Sequence, residues 1–137
     1  MLSTRQVEVL RAAVNRIIPA DEFPGGWEGG VGDYLFRQFE RDLKDQVETY
    51  AQGLDSLDAE AQSVYGKPFD ELDAESQDQL LAQVELGDVK TAWTVNPGAF
   101  VQMLAEHCAE GYYSDPTNNG GNRDGIAWKM IGYEVSG

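Results

Sequence analysis

Between Thr4 and Ile18 the apolar residues Val7, Leu10, Val14 and Ile17 recur at three- and four-residue steps, and Pro19 closes the run. That spacing lays one apolar stripe along a helix, with Ser3 as the N-cap and a proline, which has no backbone N–H to give, as the stop. The same period returns down the chain, while the two-residue alternation of a half-buried strand is nearly absent. A second pattern, Val31, Leu35, Phe39, Leu43, Val47, Tyr50 and Leu54, predicts the longest helix, about six turns ending at Gly53 as its C′ residue. Between the two, "PADEFPGGWEGG" sets two prolines and four glycines around Trp27 and reads as a structured loop.

Residues 55–88 hold ten acids and one base, Lys67, over apolar anchors at Leu57, Val64, Tyr65, Phe69, Leu72, Leu80, Leu81, Val84 and Leu86. The pattern predicts two short helices broken at "GKP", with Gly66 and Gly87 as end signals. The acids are expected on the solvated faces of those helices; a recognition patch for a basic partner is the rival reading. "NPGAFVQMLAEHCAEG" then offers Asn96 as N-cap, Pro97 at the first helical position, and Phe100, Met103, Leu104, His107, Cys108 and Gly111 on one face.

These segments predict an all-α fold, a single domain of about four to six helices over 3–111, followed by an irregular, aromatic, Gly/Asn-rich tail over 112–137. A chain of 137 residues supports one core, burying about two-thirds of its unfolded surface. A formal charge of −14 argues against binding nucleic acid or anionic lipid, since phosphate contacts need clustered Lys and Arg. The start has no basic region followed by an apolar one, and no eighteen apolar residues run together, so neither an export signal nor direct membrane insertion is expected.

His107 and Cys108 are single in the chain and adjacent, but helix neighbours point about 100° apart, which does not favour a thiol–imidazole pair. Both fall on the apolar stripe, where core residues are the commoner explanation. One His and one Cys beside carboxylates make a poor zinc set. Asp115, Thr117, Asn119 and Gly120 occupy the first, third, fifth and sixth places of a calcium loop, yet the twelfth place, which needs a bidentate acid, is Ile126, and the ninth is Arg123. "GGNRDG" lacks the lysine of a phosphate loop, and no strand precedes it. No catalytic, cofactor-binding or metal-ligating residue is nominated. A free-standing metal protein using His107, Cys108 or the loop from Asp115 to Asp124 remains the competing class.

The ending, "EGYYSDPTNNGGNRDGIAWKMIGY", interleaves Tyr112, Tyr113, Trp128 and Tyr133 with turn-makers. Asn and Gly admit left-handed backbone and Asp115–Pro116 favours a turn, so the path of the tract is shaped. Its rings suit a protein interface, and they equally suit capping of the chain's own helices.

"RIIPADEFPGG" after the first helix, "PFDELDAESQDQLLAQVELG" in the middle and this ending together resemble the gluconate 2-dehydrogenase subunit 3 family, over nearly the whole chain. Asp115, Pro116, Gly120, Gly121, Asn122, Trp128, Gly132 and Tyr133 match the family's Asp-Pro pair, Gly-Gly-Asn turn, Trp and Ile-Gly-Tyr-like close. Asn119 departs from it, where an aromatic residue often precedes the two glycines, and so does Trp27, where a small residue commonly follows Pro-Gly. The resemblance implies a non-catalytic small subunit that binds and stabilises a large FAD-dependent dehydrogenase or oxidase of the glucose-methanol-choline type. FAD and the catalytic histidine would then sit on that partner. The implied partner interface is Trp27, Tyr112, Tyr113, Asp115, Pro116, Gly120, Gly121, Asn122, Trp128 and Tyr133. A cytochrome subunit as a further partner is left open, as is a role as a dissociable maturation chaperone. Many relatives carry a twin-arginine signal. None is found here, which implies a cytoplasmic complex, of the type that oxidises glycosides at C3, although a chain trimmed of its leader would read the same.

Overall fold

A computed structural model describes residues 2–19, 25–41 and 43–114. Five α-helices carry the fold: α1 (Thr4–Ile17), α2 (Gly32–Phe39), α3 (Val47–Tyr65), α4 (Ala74–Glu85) and α5 (Pro97–Ser114). No strand occurs among the described residues, so the domain is all-α.

The first helix forms as its sequence directs. The Ser3 hydroxyl accepts from the Gln6 N–H at 3.1 Å while the Ser3 N–H donates to Gln6 Oε1 at 2.8 Å, a reciprocal cap for two otherwise unpaired donors. Its buried face centres on Val9, Leu10, Ala13 and Val14, with Val7 and Ile17 flanking it, half-buried. This helix packs on α3, α4 and α5 and so forms the middle of the bundle.

The long helix expected from 31 to Gly53 is instead two helices. The chain turns through 40–46, where Leu43 N–H reaches back to Gln38 O at 2.7 Å and a 3₁₀ turn covers Lys44–Gln46. The cause is a ring contact: Phe39 and Tyr50 lie with centroids 5.1 Å apart. On one straight helix, eleven residues would separate them by about 16 Å. The apolar period runs unbroken through Leu43 and Val47, and burial of these two rings against each other requires the fold-back.

Gly53 is therefore no terminator. It lies inside α3, and a Cβ there would overlap the Phe100 ring, so the glycine is what lets α5 approach. The end of α3 is Gly66, at φ 75°, whose N–H caps Gln62 O at 2.9 Å. After α4, Gly87 turns the chain at φ 82°. Asp73 caps the start of α4 through Ser76 N–H, and Asn96 Oδ1 accepts from Ala99 N–H at 2.9 Å ahead of α5.

At the other end α5 runs to Ser114, three residues past the expected limit of the helical region. Gly111 does not stop it, because the Tyr34 ring packs on that glycine: a Cβ would stand 2.8 Å from Tyr34 Cδ2. No described helix is long and apolar enough to cross a membrane.

Candidate functional site

The glycine-rich stretch before α2 folds back onto α1. Gly26 N–H donates to Ile18 O at 2.7 Å, and a side chain at Gly26 would meet Val14 Cγ1 at 2.8 Å. Trp27 opens a wide turn over Trp27–Val31 that contains Gly30 at φ 106°. Its backbone N–H donates to Asn15 Oδ1 at 3.0 Å, its indole lies over Gly32, and its ring meets Phe36 edge-on at 5.9 Å. Trp27 is half-buried against the core.

Inward from Trp27 the rings continue through Phe36, Phe39, Tyr50 and Phe100 to Trp93, each neighbouring pair within 6.4 Å. This file ties α2, α3, α5 and the α4–α5 connection into one aromatic core. On its α5 side, Tyr34 OH donates to Glu110 Oε1 at 3.2 Å.

Tyr112, assigned by sequence to the docking tail, belongs to α5, and its side chain is fully buried among the chain's own core residues. The helical period simply continues from Leu104 and Cys108 to position 112. The Tyr113 side chain, and Asp115, Pro116, Gly120, Gly121, Asn122, Trp128 and Tyr133, lie outside the described residues, as does the calcium-like loop.

His107 and Cys108 point to different neighbours. The imidazole Nδ1 is 2.7 Å from Tyr50 OH and its ring stacks on the Tyr50 ring at 5.8 Å. Burial holds the imidazole below its ordinary range, against the upward pull of Glu110 and Glu106. The Cys108 thiol is wholly buried, and burial pushes its ionisation far up, which makes it a poor nucleophile. No group of three His, Cys, Asp or Glu able to hold a metal occurs among the described residues.

The acids of 55–88 are only in part a solvated face. Asp58 takes Arg5 through both carboxylate oxygens, at 3.0 and 3.2 Å, and also accepts from Phe69 N–H at 2.9 Å. Asp70 meets the same Arg5 at 2.6 Å, and Asp78 holds Arg16 bidentately at 2.9 Å. These pairs pin α1 to α3, to the turn before α4, and to α4.

Glu60 was missed by sequence reading. It is 1 % exposed, and one oxygen accepts from Thr91 N–H at 3.1 Å, Thr91 Oγ1–H at 2.6 Å and Trp93 Nε1–H at 3.1 Å, while the other takes Lys90 N–H. Burial alone would raise its carboxyl; the bonds from Thr91, Lys90 and Trp93 outweigh that and hold it below the usual range. A signal was present, because Glu60 shares the helical stripe of Leu57, Ala61 and Val64. An acid on an apolar stripe needs a partner, and here it clamps the α4–α5 connection.

The profile of the gluconate 2-dehydrogenase subunit 3 family matches residues 4–135. No curated protein and no solved structure matches the chain. The matched region spans all five helices, the Trp27 turn and nearly all of the ending. The chain belongs to the gluconate 2-dehydrogenase subunit 3 family, and so to the subunits of a dehydrogenase complex.

Proposed function

We propose that the chain is the non-catalytic small subunit of an FAD-dependent sugar or glycoside dehydrogenase, binding and stabilising a large flavin-bearing partner of the glucose-methanol-choline type. The observation that carries this reading is the family match over 4–135. The chemistry of the two most reactive side chains supports it: Cys108 is sealed away, and His107 Nδ1 is engaged with Tyr50 rather than with a thiol.

In this reading the partner interface is Trp27 together with Tyr113, Asp115, Pro116, Gly120, Gly121, Asn122, Trp128 and Tyr133. Tyr112 is withdrawn from it, being spent on the core. The subunit covers apolar surface that the large chain exposes when alone, so assembly stabilises both by linkage.

Co-expression with a large flavin-bearing dehydrogenase chain tests the proposal. A yellow complex should co-purify with this subunit and remain associated through size exclusion. A large chain that is soluble, flavin-loaded and fully active alone would overturn it. Association during maturation followed by loss from the mature enzyme would identify a chaperone instead.

A further inference from the structure

The chain has one histidine, and its Nδ1 provides the hydrogen-bond partner of a fully buried phenol. Tyr50 is enclosed by Phe39 from α2 and Phe100 from α5, both edge-on, with the His107 ring stacked beside it. A buried hydroxyl needs an acceptor for its hydrogen. With His107 neutral and Nδ1 unprotonated, Tyr50 O–H donates to it and both groups are satisfied. His107 itself is only half-buried, so solvent protons can reach the pair.

Protonation changes the accounting of donors. Nδ1 then carries a hydrogen of its own. The phenol oxygen can turn to accept it, but the phenol hydrogen must then turn away from Nδ1, and the two rings that enclose it, Phe39 and Phe100, offer it no acceptor. The charged groups around the pair act in the other direction. Glu106 and Glu110 on α5 favour the imidazolium, although Glu110 also receives the hydroxyl of Tyr34 from α2. From α3 the facing group is Tyr50, and the neighbouring Cys108 thiol is un-ionised.

We propose that the Tyr50–His107 hydrogen bond is an acid-sensitive latch, closed near neutral pH and opened by protonation of His107, that fixes the C-terminal half of α5 against α3. Tyr50 joins the rings of α2 and α5, and His107 lies two turns before Ser114. Opening the latch therefore loosens the helix end from which the chain's last segment departs. The latch belongs to this chain alone and does not depend on the identity of the partner.

The full chain tests it by NMR and by amide exchange. The single histidine gives one unambiguous ring resonance, and its titration midpoint should lie below about 6.5. After correction for intrinsic exchange, protection of the amides of 104–112 should be lost as pH drops through that midpoint. His107→Asn supplies a non-titrating acceptor to the phenol and should keep the high-pH protection while abolishing the step. Tyr50→Phe removes the donor that favours the neutral ring and should move the midpoint upward. A wild-type midpoint at or above about 6.5, or an equal step in His107→Asn, overturns the latch. Should His107→Asn fail to fold, the wild-type titration together with Tyr50→Phe still decides it.

Discussion

The indole N–H of Trp93 donates to a carboxylate oxygen of Glu60 at 3.1 Å, joining the middle of α3 to a connection thirty-three residues further along the chain. Three more donors converge on the same carboxylate, and all come from residues 90 and 91. The α4–α5 connection contains no regular helix; it owes its form to one buried charge. Glu60→Ala strands these donors and should cost about 3 kcal/mol, read by urea unfolding, with a red shift of Trp93 emission. Unchanged stability would mean that the carboxylate is dispensable to the loop.

The same residue sets a pH dependence. Its folded carboxyl lies below the ordinary 4.5, so between those values the unfolded chain holds a proton that the folded chain does not. The stabilisation is complete above about pH 4.5 and is lost as pH falls through the folded value. Wild type should therefore lose more stability than Glu60→Gln on going from about pH 6 to about pH 3.5. Parallel pH curves for the two proteins would refute the assignment.

Gly53 and Gly66 should both lose stability to alanine, for different reasons. Alanine is the better helix former by about 1 kcal/mol, yet at Gly53 its methyl overlaps Phe100, and the overpacking should give a net loss of about 1–2 kcal/mol. At Gly66 nothing stands within 4 Å, and alanine should cost about 1 kcal/mol through backbone strain at φ 75° alone. Phe100→Leu should rescue Gly53→Ala and leave Gly66→Ala untouched, as double-mutant stability measurements would show.

Two arginine–aspartate pairs of similar geometry should differ in worth. Asp78 is half exposed, so Asp78→Ala should cost less than about 1 kcal/mol and its effect should fade in high salt. Asp58 is 20 % exposed and also accepts from a backbone N–H, so Asp58→Ala should cost about 2 kcal/mol with weaker salt dependence. Thermal melts at two ionic strengths separate them.

The two tryptophans assigned to docking should separate on two readouts. Trp27 packs on this chain's own Gly32 and Phe36, so Trp27→Ala should lower the subunit's melting temperature as well as its affinity. Trp128→Ala should weaken assembly by about 2 kcal/mol with the isolated subunit's stability unchanged. A stability loss at Trp128 equal to that at Trp27 would return its ring to a role in the chain's own fold.

What could be read in advance was whatever local chemistry decides. Ser3 with Gln6, Pro19, and Asn96 with Pro97 fix helix ends through neighbours a few residues away, and those ends were legible. The break between Phe39 and Val47 was not, because the apolar period continues across it and its cause, the Phe39–Tyr50 contact, appears only once the chain has folded back. Glycine is ambiguous for the same reason. Gly66 ends a helix by its own dihedral angle, whereas Gly53 and Gly111 sit inside helices because distant rings, Phe100 and Tyr34, press on them. Ending the helical region at 111 is what placed Tyr112 in the tail rather than on α5.

With Tyr112 buried in the core, the last described turn of α5 is tied to the same hydrophobic cluster as the middle of that helix. Any force exerted on the segment beyond Ser114 enters α5 and passes to α2 through Gly111 and Glu110 against Tyr34, then to α3 through His107 against Tyr50, before it reaches Leu104 and Phe100. A partner that grips that segment would hold the subunit by its spine, and its departure rate would then be governed by the fraying of a helix terminus as much as by the contacts it makes.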